Sequence, residues 1–221
     1  MGPNHGWRLP LWRTAKAAAD RLLSLIFPPR CVACDAEIDV APGELPLCRF
    51  CRRELGRWPG VFCHRCAAFM PPHAAEWIDA GCTRCAKQRF EFDAAVTLGP
   101  YEGPLRDAIL RMKHPNEAPL ARAVAGLLWE RRSEELGSFR AERVVPVPMH
   151  WWRRLRRGVN SPTILGRCLA RSLGIRLETG CLVRRRNTLA QADLSPRQRL
   201  RNVRGAFAVV QQGRIAEKRI L

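Results

Sequence analysis

The 221-residue sequence contains no apolar run approaching the roughly eighteen residues that a membrane-spanning helix needs. The best candidate near the N-terminus, Leu22 to Phe27, is six residues long and follows Asp20 and Arg21. Neither a span nor a secretory leader is expected from it. With 47% hydrophobic and 26% charged residues, the composition also excludes a disordered chain. Lysine is scarce, since 34 of the 38 basic residues are arginine. Acidic residues are scarce in one region only. Residues 1–139 hold 19 Lys and Arg against 16 Asp and Glu, whereas residues 140–221 hold 19 against 4, a net +15 within a total of +18. A field of one sign in one region attracts phosphates, of nucleic acid or of a phosphorylated small molecule. The competing explanation is a solvated surface from an arginine-biased genome.

Cysteine, by contrast, is abundant. Eight of the ten form four Cys-x-x-Cys pairs: Cys31/Cys34, Cys48/Cys51, Cys63/Cys66 and Cys82/Cys85. Each such turn points two thiolates to one side, and two turns close a tetrahedron around Zn²⁺. The stretches between pairs, of 13, 11 and 15 residues, approach zinc-ribbon spacing for the first and third. Sequential pairing of the turns is preferred to interleaved pairing, because each loop then closes over a short distance. A disulfide framework is the competing arrangement, disfavoured without a secretory signal. His64 and His73 are spare ligands, since the thiols complete both sites. Four thiolates leave no open position for water, so structural rather than catalytic zinc is expected, and the segment should need it to fold. Cys168 and Cys181 lie in apolar sequence and read as ordinary buried residues.

The remainder reads as α/β. Thr14 to Phe27 has apolar residues at helical spacing and stops at Pro28-Pro29. A strand is expected over Phe92 to Leu98, and helices over Pro104–Lys113, Pro119–Leu136 and Asn160–Leu173. The second helix carries Leu120, Val124, Leu127 and Leu128 on one side. Short strands are expected at Glu142–Pro148, Cys181–Val183 and Ala206–Val210, with the start of another at Arg219-Ile220-Leu221. Alternation of this kind favours a largely parallel sheet with ligands at the carboxyl ends of its strands. The segment His150 to Asn160 then reads as a loop presenting four arginines with Trp151 and Trp152 among them. Arginines pair with phosphate oxygens and tryptophan faces stack on bases, although inward-packed tryptophans on a surface loop would give the same pattern. Lys113 and His114 are accounted for by helix-dipole compensation. Neither Ser195 nor His150 has a local partner that would make a nucleophile–base pair.

These residues resemble a known family. The eight-cysteine N-terminus, Tyr101-Glu102-Gly103-Pro104-Leu105-Arg106, and Val145-Pro146-Val147-Pro148 followed by Arg157-Gly158-Val159-Asn160 look like the ComF family. So does Arg186-Asn187-Thr188-Leu189-Ala190-Gln191, leading to Arg199-Leu200-Arg201-Asn202-Val203-Arg204-Gly205-Ala206-Phe207. The match runs over residues 20–221. After the N-terminal amphipathic helix segment (1–29), it implies a double zinc ribbon (30–88) and a type I phosphoribosyltransferase-like domain (89–221), in a cytoplasmic protein that handles single-stranded DNA during natural transformation. In that family the strand starting near Arg219 runs into a paired-aspartate, Thr-Thr-Gly-x-Thr loop that holds phosphoribosyl pyrophosphate. This sequence has no paired aspartates and no such loop, so the expected sheet is incomplete at its C-terminus, and Mg with phosphoribosyl pyrophosphate is expected only if that loop is supplied. By position in the family pattern, Arg157, Gly158, Asn160, Gln191, Arg201 and Asn202 are the anion-binding candidates. Turn capping would also explain Gln191 and Asn202, and a solvated run would explain Arg184, Arg185 and Arg186. The alternative expectation is a non-enzymatic, zinc-dependent single-stranded-DNA-binding protein, or a scaffold for a competence helicase or recombination partner.

Overall fold

The computed structural model describes residues 28–41, 43–58, 60–70, 82–158, 160–192 and 194–221, except the side chains of Arg156 and Arg157. The helix expected at Thr14–Phe27 lies outside the described residues. The elements run α1 (Arg49–Leu55), β1 (Val61–Phe62), β2 (Phe69–Met70), α2 (Thr83–Lys87), α3 (Gly103–Arg111), α4 (Ala118–Ser138), β3 (Arg143–Val144), α5 (Trp151–Arg157), α6 (Ser161–Leu173), β4 (Arg176–Leu177), β5 (Leu182–Arg184), α7 (Pro196–Val203) and β6 (Phe207–Val209). The chain is therefore mixed α/β with two cysteine-rich units ahead of it.

Helices α3, α4 and α6 sit where the sequence places them, for local reasons. Pro104, Pro119 and Pro162 each occupy a first turn, where a missing N–H costs nothing. Helix α6 stops at Gly174, whose φ of 68° is left-handed. Helix α4 packs along α6, and α6 lies on β3 and β4. One core gathers Leu98, Leu105, Ala108, Met112, Leu120, Val124 and Leu127 with Leu47, Leu55, Cys31 and Cys51 from the first cysteine unit. Gly126 permits this junction, since a Cβ there would overlap the Leu45 side chain. The second unit has a separate small core of Cys63, Met70 and Cys82.

Four expectations are corrected. Phe92–Leu98 is not a strand. Among the described residues its backbone has no strand alongside, and the Ala95 N–H reaches the His64 carbonyl of the second cysteine unit at 3.5 Å instead. Nor is the sheet largely parallel. Among the described residues the parallel pairing is confined to β3, which has Arg143 opposite Arg176 and Val144 opposite Leu177 of β4 and a further parallel bridge from Arg143 to Ile220 on its other side. Pro146 and Pro148 lack the N–H groups that would extend β3. Strands β5 and β6 pair antiparallel, so they form a separate ribbon. The segment 151–157 is a helix, α5, rather than a loop: His150 Nδ1 accepts from the Trp152 N–H at 3.4 Å and Gly158 closes it at φ 67°. Finally, Cys181 is fully buried but Cys168 only partly so. Among the described residues no helix is long and apolar enough to cross a membrane.

Candidate metal centres and anion cleft

The thiols of Cys31, Cys34, Cys48 and Cys51 all lie within 4.8 Å of one another, as do those of Cys63, Cys66, Cys82 and Cys85. The turns are thus grouped sequentially. In the first unit, the Cys31–Cys34 turn meets Cys48, which caps α1 and accepts from the Cys51 N–H at 3.3 Å. In the second, the β1–β2 hairpin carries Cys63 and Cys66, and Cys82 leads into α2 with Cys85.

The spacing suits a tetrahedral metal. Zinc–sulfur bonds of about 2.3 Å place the sulfurs about 3.8 Å apart along each tetrahedron edge. Observed separations are 3.7 Å for Cys34–Cys48, 3.7 Å for Cys63–Cys85 and 3.5 Å for Cys66–Cys82. Disulfide sulfurs would stand about 2.05 Å apart, and all ten cysteines are free thiols.

The electrostatics agree with that fit. Burial by itself raises the Cys31 thiol, but the backbone N–H groups of Cys48, Cys34 and Ala33 overcome it and bring it down to about 7. Cys63 is likewise lowered to about 6 by the N–H groups of Cys66, Cys82 and Arg65, against the effect of burial. The opposite happens to the last thiol of each set. Burial and the neighbouring sulfurs raise Cys51 and push Cys85 up to about 12. Four negative sulfurs in one site repel each other until a divalent cation joins them. Both clusters could therefore hold zinc, through thiolates alone, with His64 exposed on the turn between Cys63 and Cys66.

A second feature lies at the carboxyl ends of β3 and β4. A cleft of about 450 Å³ is lined by Pro146, Pro148 and Thr179 after the strands, and by Arg122 of α4, Arg154 of α5 and Arg167 and Thr163 of α6. Gly158 and Asn160 line it as well, between α5 and the N-terminus of α6. Three helices thus each supply one guanidinium, no carboxylate lines the cleft among the described residues, and the α6 dipole adds positive potential at the same end. Asn160 Nδ2 donates to Thr163 Oγ1 at 2.7 Å, while its Oδ1 is buried without a partner. In either amide orientation one polar group of Asn160 is left for a ligand.

Gln191, Arg201 and Asn202 do not line this cleft. Arg157 is the last residue of α5. Gln191 and Asn202 meet each other, Nδ2 to Oε1 at 3.4 Å, and Asn202 also brackets Leu189, accepting its N–H at 3.2 Å and donating to its carbonyl at 3.1 Å. Arg201 is exposed beside them on α7. This second group is tied to α5 through Arg153, whose guanidinium donates to the Thr188 carbonyl. Arg122 and Arg167 were not legible as site residues, because arginines on the polar side of amphipathic helices look like ordinary solvent positions.

Comparison with known proteins bears on the cysteine clusters and on the family. A family model, the double zinc ribbon domain, matches residues 22–86, which take in all eight paired cysteines. DNA utilization protein YhgH of Escherichia coli K12 is 30% identical over 188 residues, covering 83% of this chain and 78% of the relative. The chain belongs to the ComF family. Competence protein F of Haemophilus influenzae is 29% identical over 185 residues, 81% of this chain and 76% of that protein. YhgH of Salmonella typhi, 30% identical over 175 residues, covers 73% of this chain and 76% of the relative. No solved structure matches the chain. Within the ComF family, then, this member combines two four-thiol clusters with an arginine-lined cleft.

Proposed function

We propose that this protein handles single-stranded DNA in the uptake and use of external DNA, the setting named for its relatives, competence protein F and DNA utilization protein YhgH. The observation that carries the reading is the cleft in which Arg122, Arg154 and Arg167 converge from three helices. Guanidinium groups bind phosphate oxygens through paired hydrogen bonds, and a cleft lined by one sign of charge concentrates anions. Two zinc ions, one per cluster, serve as structural cross-links. The reading of residues 89–221 as phosphoribosyltransferase-like is supported by the position of the cleft at the ends of a parallel strand pair beside a helix N-terminus, where open α/β folds take phosphorylated ligands. On this reading the cleft takes the phosphate groups of a nucleotide or of DNA.

The test is anisotropy of a labelled oligothymidylate across a salt series. Affinity is expected to fall linearly on a log–log plot, by about 0.7 log units per log unit of salt for each phosphate contacted. Pyrophosphate should compete, and the triple variant Arg122→Ala, Arg154→Ala, Arg167→Ala should flatten the salt dependence. Weak binding indifferent to salt would overturn the reading.

A further inference from the structure

Outside the cleft, helix α5 presents a surface that its packing does not explain. Trp151 is 66% exposed, Trp152 46% and Leu155 74%. Trp151 and Leu155 are one turn apart and share a face. The two indole rings are 5.5 Å apart at 80°, edge to face, and the His150 ring lies 5.7 Å from Trp151. Single exposed apolar residues are ordinary, but three within five positions on one short helix make a patch. It extends toward Leu189, 70% exposed, because Arg153 anchors the adjoining Thr188 carbonyl to α5, and Asn202 clamps Leu189 to α7, where Leu200 is 68% exposed.

Every charged residue of α5 is an arginine. Arg153 and Arg154 lie within the patch, and of the four acidic residues in 140–221, Glu142 and Glu178 are already engaged by Lys218 and by Arg143 and Arg214. A protein partner fitted to such a surface would have to neutralise arginines beside bare indoles. A strand of unpaired nucleotides matches both features at once: its bases offer π-faces and its backbone offers phosphates. Duplex DNA does not, since its bases are already stacked and its grooves lie deeper than a seven-residue helix with two bulky rings could read through stacking.

We infer that the exposed face of α5 is a stacking platform for single-stranded nucleic acid, with Trp151 and Trp152 receiving bases and Arg154, which also lines the cleft, guiding the backbone toward it. This rests on the DNA-handling reading above and adds the residues that meet the bases. Because both tryptophans are exposed, replacing them should leave the fold and the zinc content unchanged, which melting and metal analysis would verify.

The experiment compares wild type, Trp151→Ala/Trp152→Ala and Trp151→Phe/Trp152→Phe. Each is measured against an oligothymidylate, an abasic oligomer of the same length and the corresponding duplex. The alanine pair should lose roughly 10- to 100-fold in affinity for the oligothymidylate with an unchanged salt slope, and the phenylalanine pair should recover most of it. Wild type should bind the abasic oligomer no better than the alanine pair binds the oligothymidylate. If wild type binds the oligothymidylate but the alanine pair binds it equally well, or if duplex binds as tightly, the platform is wrong while DNA handling stands. If wild type binds none of the three, both readings fall.

Discussion

The two cysteine clusters use the same four-thiol ligand set, yet they are attached to the protein in different ways. The first is part of the main core: Cys31 and Cys51 are buried with Leu55, Leu105 and Leu127. Its Cys31–Cys34 turn is held by Arg111, which donates to the carbonyls of Val32 and Ala33 and is itself fixed by both oxygens of Glu117 at 3.2 Å. Among the described residues the second cluster has a small core of its own, in which Met70, Val61 and Ala68 pack on its cysteines. One of its ties to the rest of the chain is aromatic. The Arg132 guanidinium sits 4.4 Å from the Phe62 ring and 4.9 Å from the Trp58 ring, at a residue where α4 departs from helical geometry (φ −136°, ψ 20°). What a metal cross-link contributes to a fold therefore depends on what its thiolate-bearing turns pack against, not on the ligand set.

The strongest way to break this comparison is to remove one ligand from each cluster. Cys51→Ser deletes both a ligand and a core residue, so cooperative melting of the whole chain should be lost, consistent with structural zinc being worth on the order of 10 kcal/mol to the unit it folds. Cys85→Ser should cost one zinc and hydrogen-exchange protection over Val61–Lys87, and leave the main transition within about 5 °C of wild type. Equal effects of the two would show that the clusters are equivalent.

Smaller changes sharpen it. Leu127→Ala, at a fully buried position touching the first unit's core, should destabilise the main transition by about 2–5 kcal/mol in a denaturant melt. Arg132→Ala should cost about 1–2 kcal/mol through the lost cation–π contacts. Its exchange signature should be confined to Val61–Met70, and protection of the first unit should stay unchanged. Arg111→Ala should cost about 1 kcal/mol, because the side chain is partly exposed and water can take over the Val32 and Ala33 carbonyls. In that variant a chelator should strip the first cluster sooner while the second keeps its wild-type release rate.

The cysteine clusters were legible because a Cys-x-x-Cys turn is local chemistry, and the proline starts and glycine stop of α3, α4 and α6 are equally local. Strand pairing was less legible. Phe92–Leu98 has the composition of a strand, but a strand also needs a neighbour, and no local signal reveals that the Ala95 N–H turns to His64. Helix α5 looks like a loop in the sequence because its N-cap is His150, outside the usual capping residues, and because Trp151, Trp152 and Leu155 do not face a core. Of the cleft residues, Gly158 and Asn160 stood out through the family pattern, whereas Arg122 and Arg167 converge only once α4 and α6 are packed together.

The most direct test is native mass spectrometry during a chelator titration. The account requires two zinc ions on the untreated chain, then a one-zinc species that keeps the narrow charge-state distribution of a folded protein, and only then a metal-free, expanded chain. Loss of both metals in a single step would contradict the unequal attachment of the clusters, and a chain carrying disulfides and no metal would contradict the sites themselves.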